Sequence, residues 1–302
     1  MAAKKKTSGT AIKKSTPEKV FTVFNYAFFT LVSIIMIIPF WHVLMMSLSD
    51  VNETMKGGIF LYVKGFNVDT YGQVFKNPMI WTGFATAIGV TFIGTVGGTL
   101  LTAMMAYALS KQRLRFGKIL MVLVLFTMLF YGGTVPSYLL MKSLRLIDNR
   151  WALILPGLIS AYNVIVMRSF FSSISDSFEE SAKLDGANDV TIFFRIIIPL
   201  SKAYIATIVL FNAVMYWNDY FSTVLYINST DKWALQAVLR NMLTNTQQAM
   251  QQAGVNVRAS SNVTAETIKA GSVVVATVPI LIIYPFLQKY FVKGVMIGGV
   301  KG

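Results

Sequence analysis

Apolar residues in this chain come in long runs. Six of them, at about 21–46, 79–109, 119–141, 151–174, 203–226 and 268–291, match the ~20 residues a helix needs to cross a bilayer core. The pattern predicts an all-α membrane protein with six transmembrane helices and both termini on one side. Most connections between the runs are short. The exceptions are a mixed polar and aromatic loop at 48–78 and a long polar loop at 228–265. The second run is rich in small residues, and its Gly94 and Gly98 form a GxxxG pair that lets another helix approach closely. General helix packing is the favoured reading of that pair over a dedicated dimer motif.

One polar segment differs in kind from the others. Residues 176–199, between the fourth and fifth runs, carry five of the chain's 13 acidic groups: Asp176, Glu179, Glu180, Asp185 and Asp189. Ser177-Phe178-Glu179-Glu180 has the form of a capping box that would start a short helix, and Gly186 is placed to end it in a left-handed C-cap. Asn188 or Asp189 can cap a second helix, with Val190, Phe193, Phe194 and Ile197 on an apolar face and Asn188, Thr191 and Arg195 opposite. Pro199 then ends or kinks that helix. The expected product is a helix-turn-helix elbow held against a membrane surface.

Composition agrees with the pattern. Of 302 residues 55% are hydrophobic and 13% charged, about half the charge fraction of a soluble domain, and the mean hydropathy is +0.59. The absence of cysteine excludes disulfides and thiolate metal sites. A net charge of +14 suggests nucleic acid only until the charges are located. With cytoplasmic termini, seventeen of the 27 Lys and Arg fall inside, in the basic head 1–20, the loop 111–118, the elbow region, and Lys289, Lys293 and Lys301 at the C-terminal end. That excess follows the positive-inside rule, puts the elbow in the cytoplasm and leaves no role for nucleic acid. The first run is too long for a signal peptide and no small-residue cleavage site follows it, so it reads as a retained span opening a membrane domain at 21–291.

Chemistry inside the spans is sparse. Tyr131, Tyr162, Asn163, Asn212, Tyr216, Trp217, Asn218 and Asp219 are the polar or aromatic groups that could line a path, since lipid cannot satisfy amides and carboxylates. Each could equally bond between helices. His42, the single histidine, reads as a packing residue beside Trp41. No cluster of His, Asp or Glu within the spans suggests an enzyme. An ion-coupled secondary transporter would rest on Asp219 alone and give the elbow no purpose.

The elbow resembles a known motif. Glu180-Ser-Ala182, three residues, Gly186, nine residues, then Ile196-Ile-Ile-Pro199 is similar to the EAA---G---------I-LP loop of ABC importer permeases, with Ser181 for the middle small residue and Ile198 for the usual Leu. Asp185-Gly186-Ala187, Trp217-Asn218-Asp219, Tyr131-Gly-Gly-Thr-Val-Pro136 and the Gly-rich tail resemble the carbohydrate subgroup, above all the maltose-type and lipoprotein-linked polysaccharide permeases. The resemblance covers nearly the whole chain after residue 20. It implies the type I ABC importer permease fold in a bacterial plasma membrane, an oligosaccharide or polysaccharide substrate, a second homologous permease chain and an extracytoplasmic sugar-binding protein. It also implies two ATPase subunits, which would bind ATP and magnesium, because this chain has no GxxxxGK[ST] phosphate loop. In such permeases the elbow is the coupling helix that docks on an ATPase. Carried onto this chain, the docking residues are Phe178, Glu179, Glu180, Ala182, Leu184, Asp185, Gly186 and Ala187, with Phe178 and Leu184 as apolar anchors. The 228–265 loop stands where a contact with the binding protein or a solvated connector is expected. The tail 292–302 would enter the ATPase interface or fray.

Overall fold

The computed structural model describes residues 15–252 and 263–299. Their regular structure is helical, apart from one isolated antiparallel bridge between Ser49 and Phe66. In chain order the helices are α1 (Thr16–Ser47), α2 (Val51–Met55), α3 (Asp69–Lys76), α4 (Pro78–Ser110), α5 (Gly117–Leu129), α6 (Thr134–Ser143), α7 (Trp151–Ile154) and α8 (Ala161–Phe171). They continue as α9 (Ser177–Leu184), α10 (Asp189–Ile192), α11 (Ile198–Leu200), α12 (Lys202–Asn218), α13 (Phe221–Tyr226), α14 (Leu235–Gln252) and α15 (Ala265–Gly299).

The centre of the bundle is α4, which packs against α8, α12 and α14. It starts cleanly, because the Asn77 side chain accepts from the Met79 N–H (3.0 Å) and Pro78 sits in the first turn. Its many glycines would weaken a helix in water, but lipid forces the backbone to satisfy its own hydrogen bonds. The glycines then serve contact. A Cβ on Gly94 would fall 2.5 Å from the Tyr216 ring of α12, one on Gly98 2.9 Å from the Leu158 carbonyl, and one on Gly83 3.2 Å from the Leu235 backbone of α14. The GxxxG pair is thus consumed within the chain.

Three apolar helices, α1, α4 and α15, are long enough to span a membrane, and three bent pairs bring the count to at most six among the described residues. The third run, expected as one helix over 119–141, is broken by 114° between α5 and α6. Gly132 and Gly133 lie at the break, Gly133 with φ +90°, and Pro136 follows in the first turns of α6. The fourth run breaks by 47°, where a 3-10 turn at Leu155–Gly157 precedes α8. In the fifth, α12 stops at Asn218 because Asp219 is extended and uses its carboxylate to accept from the Ser222 N–H at the start of α13 (3.1 Å). These interruptions were not legible as such, because apolar composition alone does not distinguish a span from two half-helices.

Two expectations at the loops need correction. The 228–265 segment is not simply a loop: α14 lays Leu235, Val238 and Leu239 against α4, at helical spacing, with residues 253–262 outside the described part. The tail, expected to enter the ATPase interface or fray, continues α15 as far as Gly299. At the end of the bundle remote from the elbow, Asp148 accepts from the Asn228 and Ser229 N–H groups (3.1 and 2.8 Å), the Ser229 hydroxyl (2.7 Å) and Lys232 Nζ (2.7 Å). The Lys232 bond first, then those of Ser229, hold its carboxyl well below the usual carboxylate range. At the same end the 48–78 segment folds back on α1, where His42 Nδ1 accepts from the Phe60 N–H (2.9 Å), the packing role expected of it.

Gly94→Ala and Gly98→Ala should each destabilise the bundle by about 1–3 kcal/mol through overpacking. Gly89→Ala, with no atom within 4 Å of the new Cβ, should be neutral or slightly stabilising. Thermal unfolding of the purified membrane complex checks this, and equal stability of all three variants would contradict the packing described.

Candidate functional site

The elbow is built from α9 to α11. The expected capping box does not form. Asp176 already has helical angles (φ −61°, ψ −23°), so Ser177 lies within the helix and its hydroxyl pairs with that of Ser175 (2.8 Å). The far end follows expectation in full. Gly186 takes φ +81°, its N–H donates to the Lys183 carbonyl (3.0 Å), and the Ala187 N–H donates to the Ala182 carbonyl (2.9 Å), a Schellman cap. Asn188 then caps α10 by accepting from the Thr191 N–H (2.8 Å). A π-turn at Phe193–Ile197 leads into α11, and the chain bends by 86° at Ser201 into α12. Pro199 has no N–H for the carbonyl four residues back, which fits both the π-turn and the break.

The expected apolar face holds only in part. The buried residues are Ile192, Phe193 and Ile197, packed on Tyr107, Met167 and Phe171, while Val190 is 65% and Phe194 49% exposed. Phe193 and Ile197 thus face inward as expected, and Ile192, not Val190 or Phe194, completes the buried face. The predicted polar residues Asn188 and Arg195 do face outward.

The docking candidates divide into two sets. Leu184 is 89% and Phe178 50% exposed, with Glu180, Asp185 and Gly186 also on the outside. Ala187 is half-buried, and Ala182 and Glu179 face inward. Glu179 is only 6% exposed and forms an ion pair with Lys111, so this carboxylate is spent within the chain. Lys111 Nζ also lies 4.4 Å from the Tyr107 ring centroid. Beside this pair Arg113 bonds Asp189, and Lys183 approaches the same carboxylate at 3.9 Å. The Arg113 hydrogen bond, more than the Lys charges, holds the Asp189 carboxyl below its ordinary value. Arg168 Nε donates to the Leu109 carbonyl at the end of α4 (2.9 Å). The elbow is therefore clasped to the loop that follows α4 by pairs 68 and 76 residues apart in sequence, while Arg168 ties α8 to the end of α4 across 59. Sequence reading used Lys111, Arg113 and Arg168 only as charges. The available signal was a basic loop and an acidic elbow assigned to the same membrane side.

The polar groups of the spans are mostly committed to packing. Asn163 Nδ2 donates to Asn212 Oδ1 (3.3 Å), and Asn212 Nδ2 donates to Thr99 Oγ1 (3.2 Å), joining α8, α12 and α4. Tyr216 donates to the Ile154 carbonyl (2.9 Å), and Trp217 Nε1 to the Ala276 carbonyl (3.3 Å). Asp219 caps α13, and Asn218 is exposed while donating to the Val214 carbonyl (2.9 Å). Tyr131, at the α5–α6 break, and Tyr162, near the start of α8, are 78% and 58% exposed. Of the eight path candidates, these two and Asn218 leave a polar or aromatic surface free for another molecule.

Relatives place this architecture. Residues 98–297 match the family described as "Binding-protein-dependent transport system inner membrane component". The chain is 43% identical to the polygalacturonan/rhamnogalacturonan transport system permease protein YtcP of Bacillus subtilis (strain 168), over 94% of this chain and 99% of that one. It is 42% identical to Protein LplC of the same organism, over 94% and 96%. A crystal structure of a bacterial ABC transporter involved in the import of the acidic polysaccharide alginate superposes with a TM-score of 0.84 at 33% identity, covering 92% of this chain and 99% of that one. These matches leave no support for an ion-coupled transporter. The chain belongs to the binding-protein-dependent inner membrane component family: it is a membrane-embedded permease subunit of an ABC importer, not an enzyme.

Proposed function

We propose that this permease carries an oligosaccharide or polysaccharide fragment, with an acidic, uronate-bearing glycan as its substrate class. The observation that carries this reading is the similarity, over 94% of the chain, to a permease named for polygalacturonan and rhamnogalacturonan, alongside the likeness to an importer of an acidic polysaccharide. On this reading the path runs between this chain and a second, homologous permease chain. An extracytoplasmic binding protein delivers the glycan to the end that carries the 48–78 segment and the start of α14. Tyr131, Tyr162 and Asn218 are the groups of this chain that contact it. Both termini and the elbow face the cytoplasm.

The elbow receives the work of two ATPase subunits. Phe178, Glu180 and Leu184 present the outward surface that docks on them, and Gly186 closes the helix into a rigid unit. Leu184 and Phe178 support this together, because two exposed apolar side chains on one short polar helix offer a partner a surface to cover. Lys111 and Arg113 pass the movement on, since a pair clasped to the end of α4 makes the elbow and the central helix move together. ATP and magnesium are bound by the partners.

Three outcomes are expected. In proteoliposomes holding the complete transporter, oligogalacturonate uptake should require ATP and the binding protein and should survive dissipation of the proton gradient. Uptake of neutral maltodextrin with none of oligogalacturonate would sink the substrate class. Leu184→Glu should abolish co-purification of the ATPase subunits with the chain still inserted, and retention of the subunits with intact transport would overturn the docking surface. Lys111→Glu, which leaves Glu179 buried and unpaired at a cost of about 3–5 kcal/mol, should lower transport at least tenfold. The swap Lys111→Glu/Glu179→Lys should restore most of it. Strictly additive losses in the swap would show that the clasp does not act as a pair.

A further inference from the structure

The 111–118 loop separates two grooves that open beside the end of α4. One, of about 450 Å³, lies between α4 and the elbow and is walled by Met104, Tyr107, Val190 and Phe194. The other, also about 450 Å³, lies between α4 and α5 and is walled by Met105, Leu120, Leu123 and Val124. Ala108 and Leu114 belong to both walls, so the grooves are neighbours divided by a single ridge. The second groove is nearly all hydrocarbon, since the hydroxyl of its Thr127 is already bonded to the Val124 carbonyl (2.8 Å). In the first, Asp189 is held by Arg113 and Lys183.

The ridge ends in cations. Lys111 and Arg113 are occupied by the elbow carboxylates, but Arg115 and Lys118 are exposed, and among the described residues neither forms an ion pair. The Arg115 guanidinium lies 5.2 Å from the centroid of the Phe116 ring. Phe116 takes φ +63°, a left-handed backbone that is rare for an aromatic residue, and its ring is 61% exposed. An exposed ring beside an exposed guanidinium, where a transmembrane helix ends, is a membrane-interface arrangement.

Two grooves share one wall, the second apolar and the first lined both by Met104, Val190 and Phe194 and by Lys111, Arg113 and Arg115, and with the exposed Lys118 three residues beyond Arg115 they fit a molecule with two tails and one anionic head. We propose that this site binds an anionic diacyl phospholipid, one acyl chain on each side of the Ala108–Leu114 ridge and the phosphate on Arg115 and Lys118. The proposal rests on the reading above that places this loop at the cytoplasmic membrane surface. The tails fix position and add little selectivity, because the bilayer solvates them equally well. The head decides, at about fivefold for each cation it meets. A zwitterionic lipid would fill the same grooves without that gain, and a free phosphate ion lacks the tails. The lipid would then wedge between the α4–α5 loop and the elbow, next to the Lys111–Glu179 pair.

The test uses the purified complete transporter, equilibrated with equal amounts of phosphatidylglycerol and phosphatidylcholine and read by native mass spectrometry. Wild type should retain phosphatidylglycerol in preference, undisturbed by millimolar inorganic phosphate. Arg115→Gln/Lys118→Gln, one on the exposed loop and one in the first turn of α5, should cut that preference by about 25-fold. Ala108→Trp, which fills the shared wall, should reduce retention of both lipids. A photoreactive side chain at Leu114 should label lipid. Equal retention of the two lipids, displacement by phosphate, unchanged preference in the Gln variant or crosslinking of Leu114 to another subunit would each overturn the assignment. Substrate specificity can fail independently, because none of these readouts involves a glycan.

Discussion

Lipid offers a helix neither hydrogen bonds nor a hydrophobic reason to pack, so a bundle in a membrane is held by close contact and by polar groups that satisfy one another. In this chain both demands fall on α4. Its glycines bring the Tyr216 ring, the Leu158 carbonyl and the α14 backbone to contact distance. Its Thr99 hydroxyl anchors the relay through Asn212 to Asn163. Remove the small residues and the amide relay loses its geometry, because side chains this short reach across only where backbones nearly touch.

The breaks in the spans follow from the same solvent. Irregular backbone at membrane depth survives where protein covers it, and here the 3-10 turn before α8 is capped by the Tyr216 hydroxyl on Ile154 and pressed against Gly98. The two ends of the bundle are built differently. At one, Asp148 gathers Asn228, Ser229 and Lys232 into a fixed loop cluster. At the other, the elbow is stiffened by a Schellman cap and two ion pairs while leaving Leu184 and Phe178 uncovered. A rigid element with an exposed apolar tip suits the transmission of force from a partner, the role proposed for it.

Legibility from sequence tracked the range of the physics involved. The Gly186 C-cap and the Asn188 N-cap were readable because each depends on residues within five positions. The Ser177 capping box failed although it is local, because Asp176 can also adopt helical angles and the helix starts one residue earlier. The inward pairing of Glu179 was not readable because its partner, Lys111, is 68 residues away. The α14 helix was missed since its buried stripe is carried by a segment whose average composition is polar.

By itself, then, the sequence determined the solvent and the punctuation: apolar runs long enough for a bilayer and an elbow with turn residues at their required places. These are properties of single residues and short spacings, which act before the chain folds. The tertiary structure alone decided which apolar runs are continuous, which elbow carboxylate faces a partner and which intramembrane amides are already satisfied. Those outcomes depend on contacts between segments far apart in the chain.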